Sequence, residues 1–312
     1  MKFLQLILFF WLAVSGNNAL AQIQLDSLGA PLDISGHPNE KRINRKGYSE
    51  IVFTYNTSND TVIFKGQFSN SLANGLGFYI KNDSNICHCE FLDGRFHGQG
   101  VATFANGDKY EGEYLDGEKH GQGVYTHASG DKYEGEFHNG LLMGRGVMTY
   151  HNGIKYEGEF QDEQFHGQGT LTWPDSTKYI GQFLNNMFHG EGAYYYADGI
   201  VYKGDFKEGV FHGQGTLTWP TSEKYKGQFH NHNRHGYGTQ TLPNGETYEG
   251  QWQDDFKHGL GTLTNENGEK YEFEWSNNKC VFGTGKVTFL DGKTCEAHCS
   301  MYSGIMTPMC NP

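Results

Sequence analysis

Tyr110-Glu-Gly-Glu-Tyr-Leu-Asp-Gly-Glu-Lys-His-Gly-Gln-Gly123 recurs 46 residues later as Tyr156-Glu-Gly-Glu-Phe-Gln-Asp-Glu-Gln-Phe-His-Gly-Gln-Gly169. Further copies begin at Phe64, Cys87, Tyr133, Tyr179, Tyr202, Tyr225, Tyr248 and Tyr271, so ten consecutive segments share a 23-residue period. A fixed period of this length marks a repeat array in which each segment is one supersecondary unit. Position one is Tyr or Phe in nine segments, position three is Gly in eight, and position five is aromatic in all ten. Gly returns at positions twelve and fourteen, usually as His-Gly-Gln-Gly, and Asn106-Gly107, Asn152-Gly153 and Asp198-Gly199 mark turns between segments.

In Tyr133-Glu134-Gly135-Glu136-Phe137 aromatic and small residues alternate with carboxylates. That alternation describes a strand with one buried and one solvated face. A second run, such as Gly169-Thr-Leu-Thr-Trp173, alternates apolar residues with Thr after the paired glycines, and the two runs make each segment a β-hairpin. The expected fold is all-β: an elongated single-sheet solenoid of about ten hairpins, each advancing the sheet by about 10 Å. Glycine, 44 of 312 residues, leaves bare backbone at positions three and fourteen on which a ring can lie.

These columns resemble the MORN, or membrane occupation and recognition nexus, repeat over residues 64–294. The departures are Cys87-His88-Cys89 in place of Tyr-x-Gly, and Phe273 for Gly with a one-residue insertion in the last segment. MORN repeats also occur beside catalytic domains in lipid kinases and lysine methyltransferases. Outside the array and residues 1–21, this chain has pieces of 42 residues (22–63) and 18 residues (295–312), which are read as an N-terminal and a C-terminal, cysteine-containing cap.

Residues 1–21 carry Lys2, an apolar run from Phe3 to Val14 and Ala19-Leu20-Ala21, the layout of an export signal cleaved near Ala21. The expected location is therefore periplasmic or extracellular. Removing this segment takes the formal charge from −12 to −13. Such an acidic surface excludes nucleic acid as a partner and leaves little or no direct attraction to anionic membranes. In an exported chain, Cys280, Cys295, Cys299 and Cys310 are candidates for one or two disulfides among themselves. Cys87 and Cys89, two residues apart on a strand, are expected about 7 Å apart. Buried packing and an intermolecular bridge both stay open for them.

His97, His120, His166, His189, His212, His235 and His258 all occupy position eleven. At about 10 Å spacing they cannot converge on one zinc ion, so they are expected to pack at the hairpin turn and bond backbone. Glu111, Glu113, Glu134, Glu136, Glu157, Glu159 and Asp205 line the polar face as solvated charges. No catalytic motif, metal site or cofactor site is expected. The leading function is a non-catalytic scaffold that grips an unknown protein partner or associates with itself. The alternative is a carbohydrate- or lipid-binding surface using Phe165, Trp173, Phe188, Phe211 and Trp219 as exposed aromatics.

Overall fold

The computed structural model describes residues 40–45, 48–56, 61–82, 84–281, 283–299 and 306–309. The expected export signal, the first part of the N-terminal cap and Cys310 lie outside these described residues. The chain divides into two compact units, residues 1–169 and 170–312, while the 23-residue period runs on through the division. All described regular elements are strands. In the first unit each strand from Glu40–Arg45 to Lys155–Gln161 pairs antiparallel with the next. The second unit repeats that order from Lys178–Leu184 to Lys270–Ser276, then adds Gly283–Thr288, Thr294–Cys299 and Met306–Pro308.

One repeat, Lys109–Leu115 followed by Glu118–Thr126, shows how sequence becomes structure. The strands are joined by Asp116 and Gly117, both at positive φ (52° and 96°), the two-residue turn whose twist matches a hairpin. Asn185-Asn186 and Asp254-Asp255 close later hairpins in the same way. The second strand therefore starts before the glycine pair. Gly112 faces Gly123 and Glu113 faces His120, which leaves Gly121 and Gln122 as a bulge with Gly121 at φ +58°. His-Gly-Gln-Gly thus lies inside a strand, correcting the expectation that the histidine sits in the hairpin turn.

Tyr110 lies across the two facing glycines: a Cβ on Gly123 would stand 2.6 Å from its Cε2, and one on Gly112 would stand 2.6 Å from its hydroxyl. The ring meets Tyr114 and Phe137 edge-on at 5.1 and 5.2 Å, and Tyr133 repeats this with Phe137 and Phe160 at 5.1 and 5.0 Å. Each such pair adds about 0.5–1.5 kcal/mol beyond area burial, and the contacts couple every hairpin to its neighbour. In the second unit Tyr179, Tyr202, Tyr225 and Tyr248 continue the pattern, all essentially fully buried.

A single sheet cannot by itself cover a layer of rings. The cover comes from position ten, which the sequence reading did not assign. Phe165 stacks on Tyr156 at 3.7 Å, Phe188 on Tyr179 at 3.8 Å and Phe211 on Tyr202 at 3.7 Å. In other repeats Lys119, Arg234 and Lys257 lay a cation over the same ring.

The bulge also explains why position one favours Tyr over Phe. Beside the bulge, the Tyr156 hydroxyl donates to Glu159 O (2.7 Å), with His166 O as a weaker second acceptor (3.3 Å). Burial pushes the phenol's pKa up, keeping it a donor. Tyr156→Phe should therefore cost about 1–2 kcal/mol, because part-buried carbonyls lose their donor. The readout is the urea midpoint, and an unchanged midpoint would mean that water replaces the hydroxyl.

Candidate functional site

Opposite the aromatics, the polar face of the first unit carries a groove of about 780 Å³ running from Gln99 to Gln168. Its floor is set by register. Val101, Glu111, Val124, Glu134, Val147 and Glu157 face one another in turn on successive strands, giving one row of alternating apolar and acidic rungs. Glu134 and Glu157 approach Lys132 and Lys155 at 2.9 and 3.1 Å, yet their side chains stay 51% and 65% exposed, so both carboxylates face solvent. Such exposed pairs contribute about 0–1 kcal/mol and exchange readily.

The neighbouring row has a different job. Glu113, Glu136 and Glu159 accept the backbone N–H of Gln122, Arg145 and Gln168 at 3.3, 3.2 and 3.1 Å, and Asp205 does the same for Gln214 at 2.8 Å. Position four therefore caps the bulge, correcting the reading of these acids as merely solvated charges. Gln228 fills the role through its amide oxygen, 2.8 Å from Tyr237 N; hydrogen bonding, not charge, is what the position requires. The groove lining holds five carboxylates against the single guanidinium of Arg145. In the second unit the column of Glu111, Glu134 and Glu157 continues as Ile180, Lys203, Lys226, Glu249 and Glu272, with Ala193, Thr216, Thr239 and Thr262 between them.

The five aromatics expected on an exposed surface do not form one. Phe165, Phe188 and Phe211 are buried to 1%, 4% and 2% exposure, because position ten is the lid of the core. Trp173 and Trp219 are half-buried, and Trp173 packs 5.9 Å from Tyr194. The exposed apolar side chains include Leu76, Phe78 and Val101 in the first unit, and Leu260 in the second. Their signal was an apolar residue at position thirteen or fifteen, where most repeats carry a polar or small one.

Cys280 bonds Cys299 across 6.1 Å between Cα atoms, in keeping with a bridge inside the C-terminal group; Cys295 is also disulfide-bonded. Cys87 and Cys89 stand at disulfide distance within one strand, Cα atoms 5.5 Å apart. This corrects the 7 Å expectation. The Cys89 side chain occupies the space beside Gly100 that a tyrosine ring takes in other repeats.

The position-eleven imidazoles do not bond backbone through their rings. The Nδ1 atoms of His97, His120, His166 and His212 are buried without a hydrogen-bond partner, and it is the carbonyls of His166 and His212 that accept from tyrosine. Among the described residues no cluster of three or more His, Cys, Asp or Glu is arranged to hold a metal ion. No described helix is long and apolar enough to cross a membrane.

His232 sits at a hairpin turn with φ 71°, edge-on to Phe211 at 4.8 Å, its Nδ1 accepting Phe211 N–H at 3.4 Å. Burial lowers its pKa from 6.5 to about 4. Between those values the unfolded chain binds a proton that the folded chain refuses, so stability falls as pH drops from 6.5 toward 4. Asn278, in the same column, accepts Lys257 N–H at 2.8 Å. His232→Asn should therefore keep the bond and recover about 1 kcal/mol at pH 4.5, read from urea midpoints at pH 4.5 and 7.5. Equal acid sensitivity in both proteins would place the titrating group elsewhere.

The MORN repeat family model matches residues 64–86, 90–109, 110–132, 133–155, 156–178, 179–201, 202–223, 225–247 and 248–270. The chain belongs to the MORN repeat family. Matching skips Cys87–Cys89 and stops before Tyr271, the two places where the columns depart. No curated protein matches the chain. Solved structures similar to it include the TCP10 domain of Danio rerio CPAP in complex with a peptide of Danio rerio STIL, at 12% identity and TM-score 0.37, covering 75% of this chain and 96% of that one. The SAS-4 TCP domain of Drosophila melanogaster, in complex with a proline-rich motif of Ana2, is 14% identical at TM-score 0.34, covering 56% and 88%. Virginiamycin B lyase from Staphylococcus aureus, inactivated and with quinupristin, is 10% identical at TM-score 0.15, covering 64% and 70%. Likenesses this loose carry no inference about the ligands of this chain.

Proposed function

We propose that this protein is an exported, non-catalytic scaffold that holds a partner protein on the polar face of its first unit. The observation that carries the reading is the groove floored by alternating Val and Glu. It offers apolar area and solvent-exposed carboxylates, held only in exposed pairs, on a sheet whose backbone is already paired. The non-catalytic part of the reading is supported by Glu113, Glu136 and Glu159 being engaged by backbone N–H. The carbohydrate or lipid alternative loses three of its five aromatics to the core. Export is supported by the charged and apolar layout of residues 1–21 and by the two cysteine pairs, which persist in oxidising compartments. Residues 22–63 and 295–312 serve in this reading as caps that shield the ends of the array.

The test is capture of a partner from the exporting cell by cross-linking to the mature chain, residues 22–312, in parallel with Val124→Lys/Val147→Lys. The wild type should retain a specific protein that the double variant loses while keeping its own melting curve. Equal capture by both would remove this face from the function.

A further inference from the structure

We propose that the groove of the first unit takes an extended segment in polyproline II conformation that presents Lys or Arg at every third residue. This rests on the reading of that face as the binding face and specifies what fills it. Glu111, Glu134 and Glu157 lie in one row on every second strand, with Val124 and Val147 on the strands between. Antiparallel strands stand about 4.8 Å apart, so the carboxylates repeat at about 9.6 Å and the valines fall midway.

Of the regular conformations, polyproline II fits this period best. It has three residues per turn and a rise of about 3.1 Å, hence a side chain on the same side every ~9.3 Å. A β-strand repeats its face every ~6.7 Å, and an α-helix returns to one face after seven residues, at about 10.5 Å, drifting by nearly 2 Å over the row. Polyproline II also exposes its backbone without needing a sheet edge, and this groove is a sheet face.

The chemistry of the occupant follows from the rungs. The lining is acidic but for Arg145, and Arg145 stands in the neighbouring row, directly across from Glu159. Position-four acids are committed to backbone N–H groups, which leaves the position-two acids for a ligand. Lys132 and Lys155 hold Glu134 and Glu157 only in exposed pairs, which a ligand cation can displace. The two other residues of each turn point away from the sheet at about 120° to either side, so small ones such as proline suffice there, and the aliphatic stems of the lysines lie along Val124 and Val147. The second unit has Lys203 and Lys226 in this column and only two acids in succession, Glu249 and Glu272, with Thr262 instead of a valine between them.

The probe is a twelve-residue peptide of four Pro-Pro-Lys triplets, compared with an isomer carrying its four lysines as one block and with a Pro-Pro-Glu version. Binding to the full mature, oxidised chain is followed by fluorescence anisotropy at physiological salt. The triplet peptide should bind about fivefold or more tighter than its block isomer, and the Glu peptide should not bind. Glu111→Gln/Glu134→Gln/Glu157→Gln should weaken the triplet peptide about tenfold and erase the preference for spacing, whereas Glu249→Gln/Glu272→Gln should do neither. Equal affinity for the two lysine isomers, or an unaffected triple variant, would overturn the proposal. If no peptide binds while Val124→Lys/Val147→Lys still abolishes partner capture, this occupant is wrong and the scaffold reading stands. If that double variant captures normally, the face and the occupant fall together.

Discussion

Gly123→Val should be among the most damaging single changes in the first unit, costing about 3–5 kcal/mol. Gly123 is not at a positive φ, so the reason is space alone. Its Cβ would lie 2.6 Å from both Cε2 and the hydroxyl of Tyr110, and that ring is 0% exposed, with Tyr114 and Phe137 on its edges. The ring cannot move without opening the aromatic chain that joins successive hairpins. Because a repeat array is held by neighbour contacts, the loss should be local. Hydrogen exchange should accelerate in Lys109–Leu115, Glu118–Thr126 and Lys132–His138 before the rest of the unit, with a lower urea midpoint. A double-mutant cycle identifies the cause: in a Tyr110→Gly background the added cost of Gly123→Val should shrink to about 1 kcal/mol or less. Full additivity would show that the ring is not the obstacle.

The glycine columns were legible because a residue's size is written in its name. Tyr110 and Tyr114 at alternate positions announce one face, and Gly112 and Gly123 announce where a ring lies flat; register then brings these glycines face to face. The same rule did not separate position three from position twelve. Gly190 has φ +57°, and its Cβ would strike the Gln182 side chain, not a ring. Its requirement is therefore for left-handed backbone at the bulge, which periodicity alone does not reveal.

Position ten was missed for a different reason. It holds Phe165, Phe188 and Phe211 but also Lys119, Leu142, Arg234 and Lys257, so it has no common hydropathy. What these side chains share is length enough to reach over the position-one ring, and that becomes visible only once Phe206 is seen facing Phe211. Phe165, Phe188 and Phe211 were misplaced by the same gap, since a stacked lid reads in sequence as a free ring. Cys87 and Cys89 were misjudged by treating their strand as fully extended; its Cα atoms are 5.5 Å apart across two residues. On the polar face, position four could not be told from position two by composition. The difference lies in the backbone N–H that the bulge turns toward Glu113, Glu136 and Glu159.

Lys119 is where the lid becomes a liability, and its removal should stabilise the protein. It is 2% exposed, with Nζ 4.2 Å from the centre of the Tyr125 ring and 5.0 Å from that of Phe104. Burial lowers its pKa from 10.5 to about 8, against the opposing pull of Asp108, Glu163 and Glu118. Burial acts on Asp108 too, but hydrogen bonds from Tyr125, Ala128 N and Asn106 outweigh it and hold that carboxyl below its usual value. The carboxylate that pulls hardest on Lys119 is thus already engaged. At neutral pH the ammonium stays charged in an apolar box, at a cost that the aromatic faces offset by about 1–2 kcal/mol. As pH rises from 8 toward 10.5 the folded chain releases this proton while the unfolded chain keeps it, so wild-type stability gains a positive slope there. Lys119→Leu places at position ten the residue that Leu142 supplies one repeat later. It should raise stability by about 1–3 kcal/mol at pH 7, and the advantage should shrink by pH 9.5. Comparing the two proteins at each pH cancels the buried tyrosines, whose raised pKa values, as at Tyr110 and Tyr125, begin to oppose folding near pH 10. A variant less stable than wild type at pH 7, or an advantage independent of pH, would show that cation and rings more than repay the desolvation of the amine.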